Sequence, residues 1–101
     1  MTRGERCVLV CYDIPDDVRR GRVSSAILRY GSRLQYSVFV VTANALKLRQ
    51  LHSELAVIVS ASEDSILVVD LGTPASAKHA VTLFGVATWD TVAELPAVWS
   101  V

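Results

Sequence analysis

The stretch RCVLVCYDIPDDVRRGR, residues 6–22, decides the fold. Its first half is an apolar run with β-branched and aromatic members that ends at Asp13, a pattern typical of a strand buried on both faces. Pro15 disfavours a helix immediately before it, and a carboxylate at Asp16 or Asp17 can cap a helix that follows. The stretch therefore predicts a strand, a short turn and a helix, with Asp13 at the carboxyl end of the strand.

Four further segments with helix or strand patterns follow the first predicted strand. The helix is predicted over residues 18–30, closed by Gly31 as a C′ residue. Residues 33–41 have strand composition with a polar break in the middle, so they form one kinked strand or two short ones. A second helix from residue 45 to about residue 59 carries leucines at helical spacing, and residues 66–71 form a second strongly apolar strand.

The last part of the chain is less regular. Residues 73–77 are interpreted as a linker and residues 79–86 as an additional strand. The order β-α-β(β)-α-β with an extra C-terminal strand predicts an α+β sandwich of ferredoxin-like type. Residues 1–86 then form one domain. Residues 87–101 form a tail whose two tryptophans are expected to dock onto a neighbour.

A second copy of the chain is the expected cover for part of the sheet. Two helices can cover only one face, and strands as apolar as residues 7–12 and 66–71 need a cover on the other. In a chain of 101 residues the simplest cover is another protomer. We therefore expect a homodimer.

Charge is distributed unevenly, although ten basic and ten acidic residues balance overall. Residues 18–53 contain seven basic residues and no acid, which predicts a basic face for phosphates. The alternative is a set of solvated helix faces that happen to segregate. No apolar stretch is long enough for a membrane span and residues 1–6 contain no signal-peptide core, so a cytoplasmic location is expected.

The candidate chemistry centres on Asp13. The two histidines lie in unrelated segments and the five glycines are isolated, so a Ser-His-Asp set and a phosphate-binding loop are excluded. Mg²⁺ is commonly held by one or two carboxylates with waters and substrate phosphates, and it supports phosphodiester cleavage. A two-fold dimer would bring a second Asp13. In the alternative, Asp13 caps a turn or pairs with Arg19 or Arg20.

Arg19 has two possible orientations. It falls on the apolar side of the first helical turn, where its side chain can lean back toward Asp13. In the other orientation its aliphatic stem lies along the edge of the core.

A series of short motifs runs from residue 8 to residue 71. They are Tyr12-Asp13-Ile14, Asp16-Asp17, Arg19-Arg20, Tyr30-Gly31, Arg33, Gln35, Ser37-Val38-Phe39 and Glu63-Asp64-Ser65. In this order and at this spacing they resemble the Cas-two family of CRISPR adaptation proteins, which serve in antiviral defence. Val40 departs from the family pattern, in which that position is often acidic.

The resemblance implies a ferredoxin-like homodimer whose last strand crosses to the partner's sheet and which associates with the CRISPR integrase, Cas one. It implies a magnesium-dependent endonuclease, a hydrolase of single-stranded RNA or duplex DNA, with Asp13 as catalytic residue and metal ligand. Arg19 and Arg20 would face phosphate or orient Asp13, Arg22 and Arg33 would also contact nucleic acid, Tyr12 would shape the site, and Ser37 with Phe39 would shape it at the dimer seam.

Two alternatives to a nuclease remain open. In the first, the dimer is a non-catalytic scaffold that bridges DNA within the integrase complex during spacer acquisition. In the second, the chain is a small ferredoxin-like regulator that binds a metabolite in an apolar pocket.

Overall fold

One antiparallel sheet and three helices make up residues 4–85, the part of the chain described by the computed structural model. The elements are β1 (Arg6–Asp13), α1 (Asp17–Leu28), β2 (Gly31–Gln35), β3 (Val38–Ala43), α2 (Ala45–Ile58), β4 (Ser65–Asp70) and α3 (Pro74–Ala80). The strand order is β2-β3-β1-β4. The predicted ferredoxin-like α+β order is therefore confirmed up to β4. None of these three helices is long and apolar enough to cross a membrane.

The central position of β1 follows from its apolar sequence. It pairs with β3 on one side and with β4 on the other. Because side chains alternate along a strand, Val8, Val10 and Tyr12 pack into the core under α1 and α2, whereas Cys7 and Leu9 belong to a cluster on the opposite side. We call these the helix-covered face and the second face of the sheet.

The main core lies between the helix-covered face and the two long helices. Val23 and Ile27 of α1 and Leu51 of α2 are completely buried there, together with Phe39 of β3. Full burial of side chains of this size contributes about 1.5–3 kcal/mol each. The apolar faces of α1 and α2 therefore supply the core, with the predicted leucine spacing in α2.

Each long helix begins at a side-chain cap. The Asp16 carboxylate accepts a hydrogen bond of 2.8 Å from the backbone N–H of Arg19, and the Asn44 carbonyl accepts one of 2.9 Å from that of Lys47. Both bonds satisfy backbone donors that the first turn leaves unpaired. Of the two predicted caps of α1, Asp16 is the cap, and Asp17 is the first helical residue.

Gly31 has a different role from the one predicted. The helix ends at Leu28 with Arg29 as its C-cap, and Gly31 does not have the positive φ of a C′ glycine. It is the first residue of β2, opposite Val41. A Cβ at this position would lie 2.1 Å from the carbonyl oxygen of Val40. Glycine is required here because β2 and β3 approach closely. A sequence pattern for the end of a helix does not show such an approach between strands.

The polar break within residues 33–41 is a turn between two strands. β2 ends at Gln35 and β3 begins at Val38, with a register shift between Arg33 and Gln35. Of the two predicted possibilities, two short strands is the correct one.

The predicted linker and the start of the predicted last strand are wrong. The Thr73 hydroxyl oxygen accepts a hydrogen bond of 3.2 Å from the Ser76 backbone N–H, and Pro74 occupies the first helical turn. This Thr-Pro pair starts α3, which includes His79 and continues to Ala80. Residues 81–85 form no strand in the single chain. Residue 86 and the predicted tail lie outside the described residues.

Candidate active site

Asp13 is the last residue of β1, as predicted, and its side chain is exposed. Strand alternation places it on the second face, opposite in direction to its neighbour Tyr12. Within residues 4–85 its carboxylate accepts no hydrogen bond and forms no salt bridge. The backbone beside it is fixed, because the Tyr12 N–H donates to the carbonyl oxygen of Ser37 at 3.2 Å. Asp13 is therefore an available carboxylate on a rigid strand end.

Arg19 does not lean toward Asp13. Its Nε donates to one oxygen of Asp64 at 2.7 Å, and a terminal nitrogen reaches the other oxygen of Asp64 and a Glu63 oxygen, each at 3.0 Å. The Asp64 side chain has 0% exposure and also accepts from the backbone N–H of Ser60 at 2.8 Å. The bond to Arg19 holds the pKa of the Asp64 carboxyl below its usual value and raises the pKa of the guanidinium. Arg19 thus ties α1 to the loop before β4.

Arg20 is also committed to partners other than Asp13. It forms an ion pair with Asp17, one turn earlier on the same helix, and donates to the carbonyl oxygen of Ile14 at 2.8 Å. The hydrogen bond with Asp17 is the main reason that the pKa of Arg20 is raised. The predicted alternative in which Asp13 pairs with Arg19 or Arg20 is therefore wrong.

Arg22 and Arg33 are the remaining predicted nucleic-acid contacts, and they lie apart. Arg22 is exposed on α1, in a groove between α1 and the end of α2. The Arg33 guanidinium lies 4.8 Å from the ring centre of Phe39 and 5.9 Å from that of Tyr36. It donates to the Ser24 hydroxyl at 2.7 Å and to the carbonyl oxygen of Tyr36.

The three predicted site-shaping residues have unequal positions. The rings of Tyr12 and Phe39 stack with centroids 5.7 Å apart, both on the helix-covered face. Phe39 is completely buried in the single chain, and its predicted place at the dimer seam stays a prediction. The ring of Phe39 packs against the guanidinium of Arg33. Ser37 acts through its backbone carbonyl, which accepts from Tyr12.

The predicted basic face is partly neutralised by ion pairs. Of the seven basic residues within residues 18–53, Arg19, Arg20 and Arg29 have carboxylate partners. Within residues 4–85, the other four have none: Arg22, Arg33, Lys47 and Arg49. Sequence separation concealed two of the three, because Arg19 and Arg29 bind acids 45 and 25 positions away.

The second face of the sheet is only partly covered. Ala77 of α3 is buried against Cys7 and Val40, so α3 covers one end. Nearer to Asp13, Leu67 is 59% exposed and Val69 is 38% exposed. β4, to which both belong, is an edge strand. An apolar strip therefore lies on the same face as the free carboxylate.

A magnesium site would draw on few donors from one chain. Among residues 4–85, no group of three or more His, Cys, Asp and Glu side chains is placed to hold a metal ion. The exposed, unpaired carboxylate of Asp13 nevertheless fits Mg²⁺, which binds through one or two carboxylates and completes its shell with waters and phosphates. Within residues 4–85 of one chain, Asp13 supplies one such carboxylate.

Tyr36 and Ser24 are residues that the sequence analysis did not select. Together with Tyr12, Arg20 and Arg33 they line a cavity next to the strand end that carries Asp13. Tyr36 stands in the polar break between two strands. An aromatic residue in a tight turn, where it cannot be buried in the sheet, is the signal that could have identified it.

Fold and site together define a small ferredoxin-like α+β protein whose first strand ends in a carboxylate that has no partner among residues 4–85. Residues 6–78 match the sequence model of the family described as CRISPR associated protein Cas2. The chain belongs to this family, and the resemblance read from its motifs is confirmed.

Named relatives and a solved structure agree with this assignment. The chain is 41% identical over 58 residues to CRISPR-associated endoribonuclease Cas2 3 of Synechocystis sp., which is 57% of this chain and 63% of that protein. It is 34% identical over 82 residues to CRISPR-associated endoribonuclease Cas2 3 of Chloroflexus aurantiacus, covering 81% and 88%. The crystal structure of Streptococcus pyogenes Cas2 superposes with a TM-score of 0.70 at 27% identity, covering 78% of this chain and 99% of that one. The match thus spans less than two thirds of the Synechocystis relative.

Proposed function

We propose that this protein is a homodimeric, magnesium-dependent endonuclease of the CRISPR system that hydrolyses phosphodiester bonds in nucleic acid. The observation that carries the proposal is the carboxylate of Asp13, exposed and without a partner among residues 4–85 at the end of the central strand. The relatives of Synechocystis and Chloroflexus are named endoribonucleases, which supports RNA as the first substrate to test.

The homodimer is supported by the second face of the sheet. The exposed side chains of Leu67 and Val69 form an apolar strip beside Asp13, and burial of such a strip favours association. In a two-fold arrangement the two strips would face each other. The two Asp13 carboxylates would then meet across the interface, and the pair would complete the donor set that residues 4–85 of a single chain lack.

The roles of the side chains follow from their partners. Mg²⁺ bound at Asp13 would polarise the scissile phosphate and lower the pKa of a bound water. Asp13 would hold the ion, and Arg33, which has no carboxylate partner in the described chain, would bind phosphate. Arg19 braces the loop before β4 through Asp64, and Arg20 holds the turn after β1 through the carbonyl oxygen of Ile14.

The test of the nuclease compares two carboxylate removals. Asp13→Asn should abolish Mg²⁺-dependent cleavage of a single-stranded RNA, because the amide carries no charge to bind the ion. Glu5→Gln removes a carboxylate at the opposite end of β1 and should leave cleavage unchanged. The fold is monitored by circular dichroism. Cleavage by folded Asp13→Asn at the rate of the unaltered protein contradicts the proposal.

A second candidate function is the non-catalytic scaffold that holds DNA and docks on the CRISPR integrase. It is favoured by Arg22, Lys47 and Arg49, which are exposed on the helices and have no ion-pair partner within residues 4–85. Changing Arg22 to Glu should weaken duplex DNA binding and reduce the slope of log K against log salt by about 1. Spacer acquisition that survives Asp13→Asn but not Arg22→Glu identifies the scaffold.

A further inference from the structure

A cavity of about 250 Å³ opens between the start of α1 and the turn that joins β2 to β3. Two tyrosines and two arginines dominate its lining: Tyr12, Tyr36, Arg20 and Arg33. The Ser24 hydroxyl completes the wall on the side of α1. Aromatic rings next to guanidinium groups are the combination that proteins use to bind nucleotides in single strands.

Tyr36 is the unexplained member of this lining. The residue is 72% exposed, although a large aromatic side chain gains most by burial. The backbone that carries it is held in place, because Arg33 donates to the carbonyl oxygen of Tyr36. The ring is therefore presented to solvent from a fixed turn, with one face available for stacking.

Arg33 is held in an orientation that suits a nucleotide. Its guanidinium lies above the rings of Phe39 and Tyr36 and is anchored by Ser24 at 2.7 Å. Within residues 4–85 it has no carboxylate partner. In the same cavity the charge of Arg20 is balanced by Asp17. The cavity therefore carries one net positive charge, fixed in position.

The cavity adjoins the strand end that presents Asp13. Tyr12, which lines the cavity, is the residue before Asp13, and its N–H donates to Ser37 in the same turn as Tyr36. Since consecutive side chains of a strand point to opposite faces, the cavity and Asp13 lie on the two sides of one strand end. A flexible nucleic-acid strand that crosses this end of β1 can contact both the cavity and Asp13.

We propose that the cavity binds one unpaired nucleotide of a single-stranded nucleic acid, with its base stacked on Tyr36 and its phosphate against Arg33. A base within a duplex is already paired and stacked, so it cannot enter. The inference rests on the proposed function, because it places the next phosphate of the same nucleic-acid strand at Asp13. It specifies a single strand as the substrate form.

The test measures binding without cleavage. Fluorescence anisotropy in EDTA compares a labelled single-stranded RNA, a single-stranded DNA and a duplex DNA of the same sequence, all on the full-length chain. Tyr36→Ala should weaken binding of both single strands about ten-fold, which is the usual effect of removing one stacking ring, and should change duplex binding by less than two-fold. Tyr36→Phe keeps the ring and should bind as the unaltered protein does.

Val57→Ala is the control variant, because Val57 is 86% exposed on α2 and lies outside the cavity. It should alter none of the three affinities. An equal loss on single strands and duplex, or no loss with Tyr36→Ala, overturns the proposal. A loss on both single strands that is larger for RNA or for DNA supports the proposal and identifies the sugar that the cavity prefers.

The nucleotide site and the nuclease can fail separately. If Asp13→Asn retains cleavage while Tyr36→Ala loses single-strand binding, the metal assignment is wrong and the nucleotide site remains. If Asp13→Asn abolishes cleavage and Tyr36→Ala binds single strands normally, the nuclease remains and the nucleotide site is wrong.

Discussion

The guanidinium of Arg19 contacts both oxygens of the Asp64 carboxylate, with the shorter contact at 2.7 Å. The two residues are 45 positions apart and join the first turn of α1 to the loop before β4. A fork of this geometry is stronger and more specific than a single ion contact. It also leaves Asp13, the acid of the preceding strand, without an arginine partner among residues 4–85.

Removal of the Arg19 fork should lower stability more than removal of an exposed arginine on the same helix. Arg19→Ala leaves the buried carboxylate of Asp64 without its charged partner, which is unfavourable. Arg22→Ala removes a side chain with no partner in residues 4–85 and should leave Tm nearly unchanged. Thermal unfolding of the two variants is the measurement, and equal Tm values would contradict the role given to Arg19.

Stability should fall in acid because of Asp64 and Asp70. Arg19 lowers the pKa of Asp64, and the Gly72 N–H, with a smaller effect of Arg6, lowers the pKa of Asp70. For each of these carboxyls, the folded state binds fewer protons than the unfolded state at pH values around and below the unfolded pKa. This contribution is therefore complete above about pH 5 and is lost as pH falls through about 4 and below.

Urea unfolding between about pH 6 and pH 3 measures this dependence. The free energy of unfolding should decrease across this range in the unaltered protein and decrease less in Asp64→Asn, which has no proton to gain. A variant with the same pH dependence as the unaltered protein contradicts the linkage.

The two glycines at positions 21 and 31 should respond in opposite directions to alanine. A Cβ on Gly31 would meet the backbone of Val40 at 2.1 Å, so Gly31→Ala should cost about 1–3 kcal/mol through overpacking. A Cβ on Gly21, inside α1, meets nothing within 4 Å, so Gly21→Ala should stabilise by up to about 1 kcal/mol. Chemical denaturation of both variants measures the change in the free energy of unfolding. A stabilising effect of Gly31→Ala would contradict the close approach of β2 and β3.

A charge on the exposed strip of the second face should prevent association. Leu67→Glu places a carboxylate where the proposed dimer buries an apolar side chain, and burial of an unpaired charge is strongly unfavourable. Val57→Glu adds the same charge to the exposed surface of α2 and serves as the control. Light scattering at micromolar concentration should give a dimer for the control and a monomer for Leu67→Glu. A dimer in both cases excludes this face as the interface.

Local pattern was sufficient for most of the elements. The apolar run ending at Asp13, the cap at Asp16 and the leucine spacing of α2 each reflect interactions within a few residues, and all three appear in the structure. The Thr73-Pro74 start of α3 is equally local, but the helix that it begins has only 7 residues, too few for helical spacing to distinguish it from a linker.

The sequence by itself determined the family, the ferredoxin-like element order and the position of Asp13 at a strand end, because alternation, helical spacing and turn residues act over short distances. Only the tertiary structure decided which arginines are free, since the partners of Arg19 and Arg29 come from distant segments. It also decided that Tyr36 and Arg33 share a cavity and that Gly31 has no room for a Cβ. These features depend on how distant helices, strands and turns pack together, and a local sequence pattern does not predict that packing.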